Sequence, residues 1–99
     1  MRQITRDIVN AFYNASKFSK SNTTVEVLQN VTILKYHNNA IAYLYNDPKK
    51  TLSITNCGWF TNTTKERLNA LKGVNIVQKN FVWYLNGKEW NGDLIDIEQ

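Results

Sequence analysis

Apolar residues open the chain at helical intervals. Ile4, Ile8, Phe12 and Ala15 recur, Ala11 and Phe18 lie beside them, and Arg6, Asp7, Asn10, Asn14 and Lys17 fall mostly on the other side. These spacings predict an amphipathic helix over about 3–18, ended by the polar run Ser19-Lys20-Ser21-Asn22. The period then drops to two. Short β-type runs at 25–29 and 31–37 flank Asn30, and Asn38-Asn39, which tolerates positive φ, predicts a tight hairpin into 40–45. After a turn at Asp47-Pro48 the run 51–56 alternates, with Leu52 and Ile54 inward and Thr51, Ser53 and Thr55 outward. This reads as an antiparallel meander with one covered face.

The helical period returns at Thr63-Thr64-Lys65-Glu66, which reads as a capping box. In it the Thr63 hydroxyl accepts from the Glu66 backbone N–H while the Glu66 carboxylate reaches back. Leu68 and Leu71 then face the core, and Gly73 supplies a left-handed stop from which Val74 can fold back on Leu68. Strands follow at 74–79 and 81–85, and Asn86-Gly87 is a strong signal for a two-residue hairpin into Lys88-Glu89-Trp90. That turn pairs Leu85 with Lys88, Tyr84 with Glu89 and Trp83 with Trp90. Phe81, Trp83, Leu85 and Trp90 share one face, expected to be core because large aromatics carry so much apolar area. Leu94, Ile95 and Ile97 suggest that the acidic tail docks as an edge strand. The fold class is therefore α+β, in the order α-β-β-β-(β)-α-β-β, as one domain over 1–99 with an acidic C-terminal tail at 93–99.

Composition narrows the picture. A hydrophobic fraction of 42% in 99 residues is enough for one packed core and too little chain for two. No window approaches the roughly 18 apolar residues of a membrane span, and the N-terminus has no apolar signal core, so the expectation is a protein that stays where it is made, without a membrane. The single cysteine, Cys57, fits a reducing cytosol. Charge is unevenly placed. Residues 1–88 hold all twelve Lys and Arg against four acids, a net of +8, whereas residues 89–99 carry four acids and no base. A basic body attracts polyanions, and Arg2 and Arg6 at the positive end of the first helix hint at an anionic partner.

The stretch TNTTKERLNALKGVNIVQKNFVWYLNGKEWNG at 61–92 resembles a family of small proteins encoded by tailed bacteriophages. That family's pattern is an NTT segment, a β-meander, a GW, then TTKERLN, a QK and a WYLNGKxWxG ending. Here these stand at 22–24, Gly58-Trp59, 63–69, Gln78-Lys79 and 83–92, so the likeness covers roughly 22–92. Phe60 occupies the place where a proline usually follows the GW. The resemblance carries over no functional residue. It implies a phage accessory protein working in the host cytoplasm.

No constellation of nucleophile, base and orienter is visible, so the chain is expected not to be an enzyme. Cys57 and His37 would form a nucleophile and base only if the fold joined them. No metal motif and no glycine-rich phosphate loop occurs, so no cofactor or metal is expected. Two binding readings remain. The first is occlusion of a host or anti-phage-defence component, either a protein or a small nucleotide signal, with Lys65, Arg67, Trp59 and Tyr84 to grip a nucleotide and Arg2 and Arg6 nearby in sign. The second is non-specific DNA or RNA binding through Arg2, Arg6, Lys17, Lys20, Lys35, Lys49, Lys50 and the second helix, with exposed aromatics as stacking platforms. The basic density falls short of a dedicated nucleic-acid module.

Overall fold

A computed structural model describes residues 2–97. Helix α1, Gln3–Tyr13, buries Thr5, Ile8, Ala11 and Phe12, the stripe that its three- and four-residue spacing dictates. It ends five residues earlier than the pattern predicts. Ala15 turns left-handed at φ 52°, and the Ser16 N–H reaches the Ala11 carbonyl at 2.9 Å, which closes the helix as a Schellman motif without a glycine. Phe18, apolar at a spacing that suits either structure, goes instead into strand β1, Phe18–Lys20, opposite Val25.

The first sheet is wholly antiparallel. β1 is followed by β2 (Thr23–Val27), β3 (Val31–Tyr36), β4 (Asn39–Tyr45) and β5 (Leu52–Ile54) in spatial sequence, and β9 (Ile95–Ile97) closes the edge beside β5. Val25, Leu34, Ala42 and Ile54 lie in register across the sheet and are all buried, and α1 covers β1 to β3. The β3–β4 turn is His37-Asn38, both at positive φ, one residue before the expected Asn38-Asn39. Asn39 becomes the cross-strand partner of Tyr36, and its amide donates to the His37 carbonyl.

Ser53 corrects the alternation expected for β5. All three residues of that strand are buried, and the small Ser53 side chain is flanked across the strands by Tyr43 of β4 and Asp96 of β9. The Ser53 hydroxyl donates to the Asp96 carboxylate on β9. The acidic tail is thus partly sheet, with Ile97 buried and Leu94 and Ile95 exposed. Its acids bind locally: Asp96 takes Ser53, and the Asp93 carboxylate accepts from Asn91. The fourth acid of the acidic segment, Glu98, lies outside the described residues.

Helix α2, Asn62–Asn69, carries Leu68 into the core as expected, with Leu71 buried just beyond its end. Its cap is Thr61, not Thr63. Thr61 is extended at φ −107° and its hydroxyl oxygen accepts from the Thr64 N–H at 3.2 Å. Glu66 therefore falls past the position from which a capping box could reach back, and it is used elsewhere. Thr61→Ala is expected to cost about 1 kcal/mol, read as a lower urea midpoint at unchanged slope. Thr63→Ala should leave the stability within about 0.5 kcal/mol of the parent. Gly73 is left-handed at φ 81°, as expected, but Ala70 has already closed the helix.

The second sheet is β6 (Ile76–Lys79), β7 (Val82–Leu85) and β8 (Lys88–Glu89). Asn86 and Gly87, at φ 50° and 89°, form the expected hairpin turn, with Leu85 opposite Lys88 and Tyr84 opposite Glu89. The Trp90 N–H donates to the Trp83 carbonyl at 2.9 Å, and the two indoles lie 6.3 Å apart. Trp83, Leu85, Trp90 and Ile76 join α1 and the first sheet in one core. Phe81 departs from the expected face altogether. With Asn80 it makes the β6–β7 turn, both at positive φ, and it is 95% exposed.

Candidate functional site

After β5 the chain is held by a knot of short polar contacts. The Asn56 N–H and the Thr55 hydroxyl both donate to the Gly92 carbonyl, at 3.1 and 2.6 Å. The buried Asn56 side chain accepts from the Gly58 N–H at 2.8 Å, and the Cys57 N–H donates to the Thr55 hydroxyl oxygen. Cys57 and Gly58 then take positive φ in succession, 53° and 83°, and turn the chain outward. Asx and ST contacts of this kind fix a loop without secondary structure.

The loop delivers Trp59 and Phe60 side by side at the surface, 44% and 54% exposed. Trp59 stacks against His37, with ring centroids 6.1 Å apart and planes 29° apart, and His37 in turn lies 4.4 Å from Tyr36. Phe60 meets Trp83 edge-on at 5.1 Å. Both aromatics are thus anchored on one side and bare on the other. Neither Phe60, which stands where the phage resemblance expects proline, nor His37 is a binding residue by sequence pattern. The one local signal for Phe60 is its two-aromatic run with Trp59 after a glycine.

The expected cations are placed differently. Arg67 is 3% exposed, and its Nη1 donates to Thr5 Oγ1 at 2.8 Å and to Glu66 Oε1 at 2.6 Å. Arg2 grips the same carboxylate with Nε at 3.0 and 3.1 Å and with Nη2. Hydrogen bonding from Arg2, with the charges of Arg2 and Arg67, holds the Glu66 carboxyl below its ordinary range despite partial burial. Burial lowers the Arg67 guanidinium, and the hydrogen bond to Glu66 raises that of Arg2. Arg2 and Arg67 are therefore brought together, but around an internal acid. Arg6 lies exposed on α1.

Lys65 sits 5.8 Å over the Trp83 ring and donates to Gln78 Oε1 at 3.0 Å. Tyr84 points to the opposite side of β7 from Trp83, in register with Val77 and Glu89. The four residues expected to grip a nucleotide do not form one pocket, since Arg67 is interior and Tyr84 faces away. The Cys57 thiol donates to the Ala40 carbonyl at 3.0 Å, and burial pushes its pKa up, both of which favour the protonated form. Among the described residues no three His, Cys, Asp or Glu gather as metal ligands, and no helix is long and apolar enough to cross a membrane.

Glu66 makes a pH prediction with a definite sign. Its folded pKa is depressed, so its contribution is present above the ordinary glutamate range and is lost as pH falls through the folded value. Glu66→Gln should lower stability at pH 7 by up to about 1 kcal/mol, the range for ion pairs that stay open to solvent. The gap between parent and variant should start to narrow as pH falls below about 4.3, the ordinary glutamate value, and should close only below the depressed folded value, where the parent's own carboxylate is protonated. Urea unfolding at pH 7 and pH 3 checks this. A gap of equal size at both values would show that charge at Glu66 is irrelevant.

No curated protein and no solved structure matches the chain. A family model does match, over residues 1–96, a span that takes in both helices, all of both sheets except the last residue of β9, the Asn56–Gly92 knot and the Trp59–Phe60 surface. The match reaches beyond the roughly 22–92 of the phage resemblance to nearly the whole chain, which belongs to the family described as Kyanoviridae Gp96 protein.

Proposed function

We propose that this phage protein is a non-enzymatic accessory protein that binds and occludes a protein of the bacterial host, or of its anti-phage defences, in the host cytoplasm. The observation that carries this reading is the adjacent exposed pair Trp59 and Phe60, each braced from behind by another ring. Rigid aromatics lose little side-chain freedom on binding and recur as the energetic centres of protein interfaces. The cations favour a protein over a nucleotide signal. Arg67 is interior, Arg2 is spent on Glu66, and Lys65 is held by Gln78 and Trp83.

The test is a pull-down of the tagged protein from infected cells, with mass spectrometry of retained proteins and small molecules, run beside Trp59→Ala and Phe60→Ala. The expected result is a host protein held by the parent and weakened about 30-fold by Trp59→Ala, the loss of a central interface aromatic. Equal retention by parent and both variants removes the platform from the reading. A retained nucleotide in place of a protein overturns the choice of partner.

A second reading, non-specific DNA or RNA binding, is favoured by one observation. Arg6, Lys17, Lys20, Lys49, Lys79 and Lys88 are exposed and make no ion pair among the described residues. Fluorescence-polarisation titration across salt separates the two readings, because phosphate contacts produce a steep loss of affinity with rising salt.

A further inference from the structure

The larger sheet ends in two open edges, β1 and β9, and they carry opposite charge. Lys17, just before β1, and Lys20 at its end are exposed and make no ion pair among the described residues. At the other edge Asp93, Leu94, Ile95 and Asp96 are all exposed. An edge strand offers a row of unpaired backbone groups, and charges placed on it keep like edges from joining. Two β1 edges would set lysine against lysine, and two β9 edges aspartate against aspartate. The pairing that the charges favour is β1 with β9.

Strand direction and hydrogen-bond phase both suit that pairing. Every neighbouring pair in the sheet is antiparallel, so across its six strands β1 and β9 run in opposite directions. A second copy set alongside, with its α1 face on the same side, continues the alternation. The Tyr45 N–H donates to the Thr51 carbonyl and the Thr55 N–H to the Ile41 carbonyl. Residues 51, 53 and 55 therefore turn their backbone groups to β4, and Leu52 and Ile54 turn theirs to β9. Their partners Ile97 and Ile95 face β5, which leaves Asp96 and Leu94 facing outward. At the far edge the His37 N–H donates to the Asn22 carbonyl, so Thr23 and Val25 face β1. Lys20 and Phe18 answer them, and Ser19 and Lys17 face outward.

We propose that β1 of one copy pairs antiparallel with β9 of a second copy, in the register Lys17–Asp96, Phe18–Ile95, Ser19–Leu94 and Lys20–Asp93. In this register the outward-facing residues meet each other, both lysines stand opposite aspartates, and Phe18 covers the 42% exposed Ile95. Leu94 of the second copy, 59% exposed, lies over the small Ser19, beside the open cleft that Ser19, Thr24 and Glu26 help to line. Asp96 keeps its bond from Ser53, since a carboxylate has acceptor sites for both. A slip of two residues, the smallest that keeps the phase, sets Lys20 against Ile95 or Lys17 against Leu94 and breaks both lysine–aspartate pairs. Each copy offers one β1 and one β9, so the join is head to tail and closes as a ring or extends as a filament.

Analytical ultracentrifugation tests it on the intact protein. From about 0.05 to 1 mM at about 0.02 M salt, the weight-average mass of the parent should climb above the monomer's 11.5 kDa. It should fall back toward the monomer at about 0.5 M salt, where charges are screened within a few ångströms. Lys17→Glu with Lys20→Glu, and Asp93→Lys with Asp96→Lys, should each stay monomeric alone. Their equimolar mixture should associate, because each mixed contact again sets acid against base. Ser19→Pro removes an outward N–H and no bond of the sheet, so it should keep the parent's circular dichroism and stay monomeric. A parent that is monomeric at about 1 mM in low salt, or whose association is indifferent to salt, overturns the proposal on the unaltered chain alone. So does either charge-reversed variant that associates by itself, or a mixture of the folded variants that stays monomeric. A folded Ser19→Pro that associates like the parent overturns it too, because charge attraction would then act without strand pairing.

Discussion

Trp83→Ala is expected to destabilise the protein by about 3–5 kcal/mol, the range for emptying a buried large aromatic site. Trp83 is 2% exposed and is the largest fully buried side chain among the described residues. Three groups lose their partner at once: the Trp90 indole, the edge of Phe60 and the Lys65 ammonium. Because Trp83 sits on a strand of the smaller sheet and also in the common core, its loss loosens the join between the two sheets as well as the hairpin. A domain of this size holds only about 5–15 kcal/mol in total, so partial unfolding at 37 °C is expected. Thermal and urea unfolding give the number. Trp83→Phe, which keeps an apolar ring, should recover a large part of it. An alanine variant with parental stability and lost partner binding would place the binding surface on the Trp face.

Gly92→Ala should come close to this effect without removing any buried atom. Gly92 stands at φ 93°, and a Cβ there would lie 2.1 Å from Asn56 Oδ1 and 2.4 Å from Asn56 Cγ. Asn56 cannot yield freely, because it is buried and its Oδ1 holds the Gly58 N–H. Backbone strain of about 1–3 kcal/mol therefore adds to an overpacking cost of about 1–3 kcal/mol. Gly87 supplies the control. It has nearly the same φ, 89°, and a Cβ there would meet nothing within 4 Å, so Gly87→Ala bears the strain alone. The excess cost of Gly92→Ala over Gly87→Ala isolates the clash, and it should shrink in an Asn56→Ala background if the clash is with that side chain. Since Asn56 and Gly92 hold the loop that ends in Trp59 and Phe60, Gly92→Ala should also weaken partner binding, whereas Gly87→Ala should not. Equal costs for the two glycine variants would mean that the Asn56–Gly92 knot gives way easily.

What the sequence determined by itself was the set of local decisions. The Asn86-Gly87 turn and its register were legible because two residues with ready access to positive φ settle a hairpin within four positions. The α+β class, the existence of both helices and the burial of Leu68 and Leu71 followed from periodicity, which needs no distant partner. Trp59 was singled out only as an aromatic that could stack a nucleotide base beside Lys65 and Arg67, and its exposed place next to Phe60 came from the fold.

Tertiary structure decided what depended on residues far away in the chain. Thr5 and Arg67 are 62 positions apart, and only their meeting turns an apparently free cation into an interior one. Ser53 alternates outward by its spacing, yet β9, arriving from 43 positions downstream, covers it. The α2 cap moved to Thr61 because three threonines offered equivalent local chemistry, and Arg2, brought over by α1, claimed Glu66. Phe81 fits the alternation of its strand but falls in the turn, since strand length is set by pairing with β6 and not by the apolar pattern. Local propensities are worth tenths of a kcal/mol to about 1 kcal/mol per residue. An added strand, or the buried Arg67–Thr5 hydrogen bond, outweighs them, and those interactions chose between equal local options.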